Sequence, residues 1–263
     1  MTVYFLGGGN MAAAIVAGLV KNRTYAVHVV NRGAEKREQL ARCFQIKTSA
    51  VLPVLTAQDV LVLAVKPQDM QSACTGLHSN GALVISVAAG LSVATLSRYL
   101  GGTERIARAM PNTPARIGLG MTGLFAPASL SAADCETVQD IFDAVGSSVW
   151  LPDEEGMHAI TGICGSGPAY VFYLLAALQQ AAQEQGFAAE DAHRLSLATF
   201  KGAVALAEQS GEDFAVLQQK VTSKGGTTHE AIETFKDRQV AEAITAGVAA
   251  CVRRSQEMSR QFD

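Results

Sequence analysis

The sequence predicts an α/β chain: a mainly parallel sheet with helices in the first half, then an all-α second half. Three observations carry this. Short apolar or β-branched runs at 2–6, 27–30, 59–65, 83–87 and 105–109 alternate with helix-period segments, which is the pattern of βαβ units. The run Val60-Leu61-Val62-Leu63-Ala64-Val65 is apolar at every position, as a strand covered on both faces of a parallel sheet must be. After Pro152-Asp153-Glu154-Glu155 the strand signals stop and long helical patterns take over. That change divides the chain into domains 1–152 and 153–263.

The totals bound the class. With 263 residues there is room for one large domain or two modest ones. Apolar residues make up 49% and charged residues 17%, a globular composition and not a disordered one. The net charge is −3 with no basic run, so neither nucleic acid nor a membrane surface is an expected partner. Cys43, Cys74, Cys135, Cys164 and Cys251 are odd in number and never form C-x-x-C. They read as reduced small hydrophobes, and no metal-ligand spacing appears among Cys and His, so no metal is expected. No basic segment precedes an apolar one at the N-terminus, and the longest apolar run, 169–178, is too short to span a bilayer. The cytoplasm is the expected location.

In order, residues 2–6 form the first strand and 10–20 a helix, with Gly7-Gly8-Gly9-Asn10-Met11-Ala12 between them. This G-x-G-x-x-A turn feeds a strand into a helix N-terminus, where backbone N–H groups and the helix dipole favour a phosphate. Gly7 permits the tight turn, Gly9 lets the backbone approach a pyrophosphate, and Ala12 lets helix and strand pack closely. A glycine turn without a ligand is the alternative. The strand at 27–30 ends in Asn31-Arg32, with Lys36 one turn on. An acidic residue there would bind both ribose hydroxyls of NAD; a neutral donor beside cations suits a 2′-phosphate, so NADP is the expected cofactor, NADPH preferred over NADH.

A helix is expected over 34–42, a weak strand near Ile46, and a helix over 49–56 broken or started by Pro53. The strand at 59–65 ends in Ala64-Val65-Lys66-Pro67, at the sheet edge where ligands bind. The strand at 83–87 ends in the small residues Ala88-Ala89-Gly90, which leave space for a flat ring. Ser92 caps a helix over 92–100. In Met110-Pro111-Asn112-Thr113-Pro114 the prolines fix an extended turn, and Asn112 offers a donor and an acceptor to a nicotinamide or simply stabilises the turn. Strands at 118–125 and 147–151, around a helix at 131–144, extend the sheet by antiparallel pairing.

In the second half, Ser166 or Gly167 caps a helix over 169–185 with Pro168 in its first turn. Its first half is apolar on every face, which calls for cover by a second subunit or by a core. Further helices are expected over 188–209, 213–219 and 239–258. Between them, Val221-Thr222-Ser223-Lys224-Gly225-Gly226-Thr227-Thr228 is a second glycine turn feeding a helix. Its N–H groups suit a substrate carboxylate; alternatively Thr227 or Thr228 merely N-caps the helix. No dedicated acid–base constellation appears, and hydride transfer to an already protonated imine requires positioning more than a proton donor.

The chain resembles pyrroline-5-carboxylate reductase along its whole length. The resemblance rests on Gly7 to Ala12, Ala64-Val65-Lys66-Pro67-Gln68, Met110-Pro111-Asn112-Thr113-Pro114-Ala115, Gly165-Ser166-Gly167-Pro168-Ala169-Tyr170 and the 221–228 loop. It implies reduction of 1-pyrroline-5-carboxylate to L-proline by NAD(P)H. It also implies a Rossmann domain followed by a helical dimerisation domain, a site at the dimer interface, and in some members decamers. By resemblance the cofactor touches Leu6, Gly7, Gly8, Gly9, Asn10, Met11, Asn31, Arg32, Ala64, Val65, Lys66, Pro67 and Ala88. The carboxylate sits on Ser223, Gly225, Gly226, Thr227 and Thr228, and Thr228 hydrogen-bonds the ring nitrogen. Two departures stand out: Lys224 replaces a usual proline, and 49–51 reads Ser-Ala-Val where members commonly carry an Asn. The rivals are a related Rossmann hydroxyacid reductase, for which Lys201 lacks an Asn neighbour, and a non-catalytic NADP-binding regulator.

Overall fold

A computed structural model describes residues 1–22 and 25–262. Eight strands form one sheet in the order β3-β2-β1-β4-β5-β6-β7-β8. They are β1 (Thr2–Leu6), β2 (Ala26–Val30), β3 (Lys47–Ser49), β4 (Val60–Leu63), β5 (Leu83–Ser86), β6 (Ile106–Met110), β7 (Gly120–Phe125) and β8 (Gly146–Trp150). The first six pair in parallel. β7 runs antiparallel to β6, as expected, but β8 pairs with β7 in parallel, across the connecting helix α5 (Ala132–Asp143). The other helices of this part are α1 (Asn10–Asn22), α2 (Ala34–Phe44), α3 (Pro67–Cys74) and α4 (Val93–Tyr99).

Alternation along the strands sorts side chains to two cores. Val3, Phe5, Val60, Val62 and Ile85 join Ile15 and Leu19 of α1 and Phe142 of α5 on one face. Leu61, Leu63 and Val84 join Met70 of α3 and Leu96 of α4 on the other. This is the period of two that a strand covered on both faces requires. Ser92 and Ser131 cap α4 and α5, accepting from Thr95 N and Asp134 N at 3.1 Å each.

Two local expectations fail, and one helix is new. Residues 50–59 form no helix: Pro53 interrupts the stretch, the Ser49 hydroxyl donates to Val51 O at 2.6 Å, and Asp59 takes the Thr56 N–H and hydroxyl. The 110–114 turn is not extended throughout; a 3₁₀ helix, Thr113–Ile117, starts directly after Asn112. A helix unseen in the sequence, α3, starts at Pro67, where a missing N–H costs nothing.

The chain divides into two compact units, Met1–Pro168 with Ala250–Asp263, and Ala169–Ala249. The division differs from the change of composition at 152/153 because the following residues are tied to the sheet. The Glu154 carboxylate accepts from buried Arg108 at 2.9 Å and from Val93 N at 2.7 Å. A short helix, α6 (Gly156–Ile160), and a π turn, Thr161–Gly165, follow. Burial pushes the His158 pKa down, and its Nδ1 lies 2.8 Å from Ser255 Oγ in the last turns of the chain. The second unit is helical: α7 (Gly167–Glu184), α8 (Ala189–Ser210), α9 (Phe214–Lys220), α10 (Thr227–Asp237) and α11 (Val240–Ser259), α7 and α11 having their outer ends in the first. By length and composition alone, Gly156–Glu184 is apolar enough to cross a membrane, a run longer than 169–178 because the π turn does not break it. No residue of α7 is buried; Phe172 is 65% and Tyr173 77% exposed.

Candidate functional site

The first glycine loop is set by β1 and its two neighbours. Gly7 N donates to Val30 O and Ala64 N donates to Leu6 O, each at 2.9 Å. Gly7 has φ +105°, and a Cβ there would stand 2.6 Å from Ala64 O. Gly8 backs onto Leu40 and the Asn31 amide. A Cβ on Gly9, in contrast, would meet nothing within 4 Å. Gly9 O accepts from Ala13 N at 2.9 Å, so α1 starts immediately, and its first turn holds no acidic residue. Glycine at this third position is therefore not required by packing; the space above it is open for a ligand on an electropositive helix end.

Beside the loop lies a cavity of about 850 Å³. Of the expected cofactor residues it gathers Leu6, Gly7, Asn31, Arg32 and Val65. Gly8, Gly9, Asn10 and Met11 lie at the start of α1, and Ala64 touches Gly7. Lys66 is the exposed N-cap of α3 and Pro67 its first residue. Ala88 is buried beyond β5, its N–H on Ser86 Oγ at 3.3 Å. None of these last eight lines the cavity.

Asn112 is tied into the fold. It is buried; its Nδ2 donates to Cys164 O at 3.1 Å and its Oδ1 accepts from Met121 N at 3.0 Å. Both ends of the amide serve the π turn and β7, the turn-stabilising role that the sequence allowed beside a nicotinamide contact.

The cavity also has other walls: the 50–54 loop, whose start the sequence marked as the place where family members carry an Asn, and Asp69, Ser72 and Ala73 of α3, which sequence reasoning missed. Val51 and Val54 are 77% and 85% exposed, an apolar rim fit for a flat base. His28 holds this rim. The Ser49 hydroxyl spends its proton on Val51 O, so His28 Nε2, 2.9 Å away, donates to Ser49. Burial, then Lys47, lowers the His28 pKa.

The second glycine loop joins α9 to α10. Gly226 N donates to Ser223 O at 3.0 Å, Gly225 has φ +69°, and a Cβ on Gly226 would collide with Ser223 Oγ. The N-cap is Gly226, with no side-chain hydrogen bond, instead of Thr227 or Thr228. The two threonines are the first residues of α10, so their hydroxyls are not spent on capping and the first N–H groups are left to an anion. Lys224 is exposed on the same loop. Among the described residues no group of His, Cys, Asp and Glu is arranged to hold a metal.

Residues 154–258 match the family model for pyrroline-5-carboxylate reductase dimerisation, and residues 2–90 match that for NADP oxidoreductase, coenzyme F420-dependent. The pyrroline-5-carboxylate reductase of Pseudomonas aeruginosa is 38% identical over 99% of this chain and 97% of its own length. The chain belongs to the pyrroline-5-carboxylate reductase family. The family member of Vibrio alginolyticus is 37% identical, over 99% of this chain and 98% of its own. The solved structure from Coxiella burnetii covers 98% of both chains at 34% identity with a TM-score of 0.88. The family fold is thus a Rossmann domain followed by a helical dimerisation domain.

Proposed function

We propose that this chain reduces 1-pyrroline-5-carboxylate to L-proline with NADPH preferred over NADH, as a cytoplasmic homodimer, in the last step of proline biosynthesis. One observation carries the reading: one chain holds two glycine turns that each open a helix, Gly7 to Gly9 ahead of α1, whose first turn carries no acidic residue, and Gly225-Gly226 ahead of α10, whose N-cap makes no side-chain hydrogen bond. A dinucleotide needs one such site; the second suits a substrate carboxylate. Family membership supports the pairing of the two.

The open space at Gly9 and the cavity beside it fit a dinucleotide, which when bound supplies the hydride. Gly8 to Met11 offer backbone N–H groups to its pyrophosphate, Asn31 and Arg32 face its adenosine end, and Ala64, Val65, Lys66, Pro67 and Ala88 border its middle and nicotinamide end. Ser223, Gly225, Gly226, Thr227 and Thr228 surround the substrate carboxylate, which is held by amides of this loop other than that of Gly226, already bonded to Ser223 O, and the Thr228 hydroxyl aligns the ring nitrogen. Lys224 adds a cation where the resemblance leads one to expect proline, strengthening attraction for the carboxylate while loosening the loop. As functional modules, 1–152 serves the cofactor and 153–263 the substrate and the dimer. The uncovered α7, apolar along its first half, is the surface a second subunit covers. Assembly of dimers into a decamer is a larger state for the same surface to support.

The test is direct. NADPH absorbance should fall when 1-pyrroline-5-carboxylate is added, with proline formed in equal amount. An NADPH signal that stays flat removes the enzymatic reading and favours a cofactor-binding regulator.

A further inference from the structure

The turn that presents Asn31 and Arg32 is held by a residue outside the cavity. All three carbonyls of Asn31-Arg32-Gly33 accept from Arg37: Asn31 O and Arg32 O from its Nη1 at 2.8 Å each, and Gly33 O from its backbone N–H at 3.2 Å. The strand side is also fixed, with Asn31 N on Ser49 O at 3.0 Å and Gly33 N on Asn31 Oδ1 at 2.9 Å. Arg37 is half-buried on α2 and does not line the cavity, whereas Asn31, Arg32 and Gly33 do.

This arrangement has an electrostatic consequence. In a trans peptide the C=O and the following N–H point in opposite directions. Drawing the carbonyls of 31 and 32 onto Arg37 turns the Arg32 N–H away from it and takes carbonyl lone pairs out of the path of an anion. A guanidinium on two carbonyls also fixes the backbone from which the Arg32 side chain projects.

We infer that Arg37 is a positioning residue that sets the preference for a 2′-phosphorylated cofactor by shaping the Asn31–Gly33 turn from behind. The inference rests on the reading of Arg32 as the 2′-phosphate contact. Releasing two charge-assisted hydrogen bonds leaves the turn free to present its carbonyls, and discrimination then falls by about tenfold.

The experiment compares Arg32→Ala, Arg37→Gln and Arg37→Lys. The affinities for 2′,5′-ADP and 5′-AMP are measured by calorimetry, with KM for NADPH and NADH alongside. Arg37→Gln should lower the 2′,5′-ADP to 5′-AMP affinity ratio about tenfold and raise KM for NADPH far more than KM for NADH. Arg37→Lys keeps the charge and the donors and should restore most of the ratio. A ratio unchanged in Arg37→Gln, or equal losses for both nucleotides, overturns the role of Arg37. If Arg32→Ala also leaves the ratio untouched, the 2′-phosphate reading itself has failed; if Arg32→Ala lowers it and Arg37→Gln does not, only Arg37 falls.

Discussion

Gly7 and Gly9 separate what the fold needs from what the cofactor needs. An alanine at Gly7 would be strained at φ +105° and would press its Cβ to 2.6 Å from Ala64 O, a backbone atom of the sheet that cannot yield. Strain of about 1–3 kcal/mol and overpacking of similar size sum to a large part of a typical folding stability. An alanine at Gly9 meets nothing within 4 Å. Losing a helix-start glycine and reducing unfolded-chain entropy nearly cancel, leaving stability within about 1 kcal/mol of wild type. The added methyl occupies the space through which a pyrophosphate reaches the loop amides, and one charge-assisted hydrogen bond lost weakens binding by about 10- to 100-fold. Thermal unfolding and NADPH titration read the two effects apart. Gly7→Ala should lower the unfolding midpoint by at least about 5 °C, whereas Gly9→Ala should keep the midpoint and lose affinity. Wild-type NADPH affinity in Gly9→Ala would refute the assignment of that open space to the dinucleotide.

Further outcomes follow from the same geometry. Thr228→Ala should fold normally and lower turnover about 10- to 100-fold through loss of a hydrogen bond at the reacting ring; unchanged steady-state rates would remove Thr228 from the mechanism. Phe172→Glu places a charge on the exposed apolar face of α7 and should shift the protein from dimer to monomer in sedimentation; a persistent dimer would move the interface elsewhere. His28 and His158 both have pKa values lowered by burial, so the unfolded chain binds more protons than the folded one. Stability should therefore fall as pH drops below about 6.5 and level off above it, and His158→Gln should flatten that slope in a pH series of unfolding midpoints.

The sequence read strongly wherever one local signal determined the outcome. The unbroken apolar run of β4 required a doubly covered strand, and Ser92 and Ser131 announced the starts of α4 and α5. Reading failed where a distant partner decides. The sequence leaves Asn112 open between a nicotinamide contact and a turn-stabilising role; its amide bonds the π turn some fifty residues on, and a π turn leaves no periodic signature. The helix expected at 49–56 lost to Pro53 and to local side-chain bonds from Ser49 and Asp59. Nothing in Ser255 or its neighbours signals that the end of α11 is tied to His158. Nothing in the sequence around Arg37 signals that three backbone carbonyls accept from it.

The most direct test of the division between the two glycine loops is a crystal structure with NADP and proline bound together. The account expects the pyrophosphate within hydrogen-bond distance of the Gly8 to Met11 amides and the proline carboxylate on the amides between Ser223 and Thr228. A carboxylate bound away from the N-terminus of α10, with the Ser223–Thr228 loop empty, would contradict it.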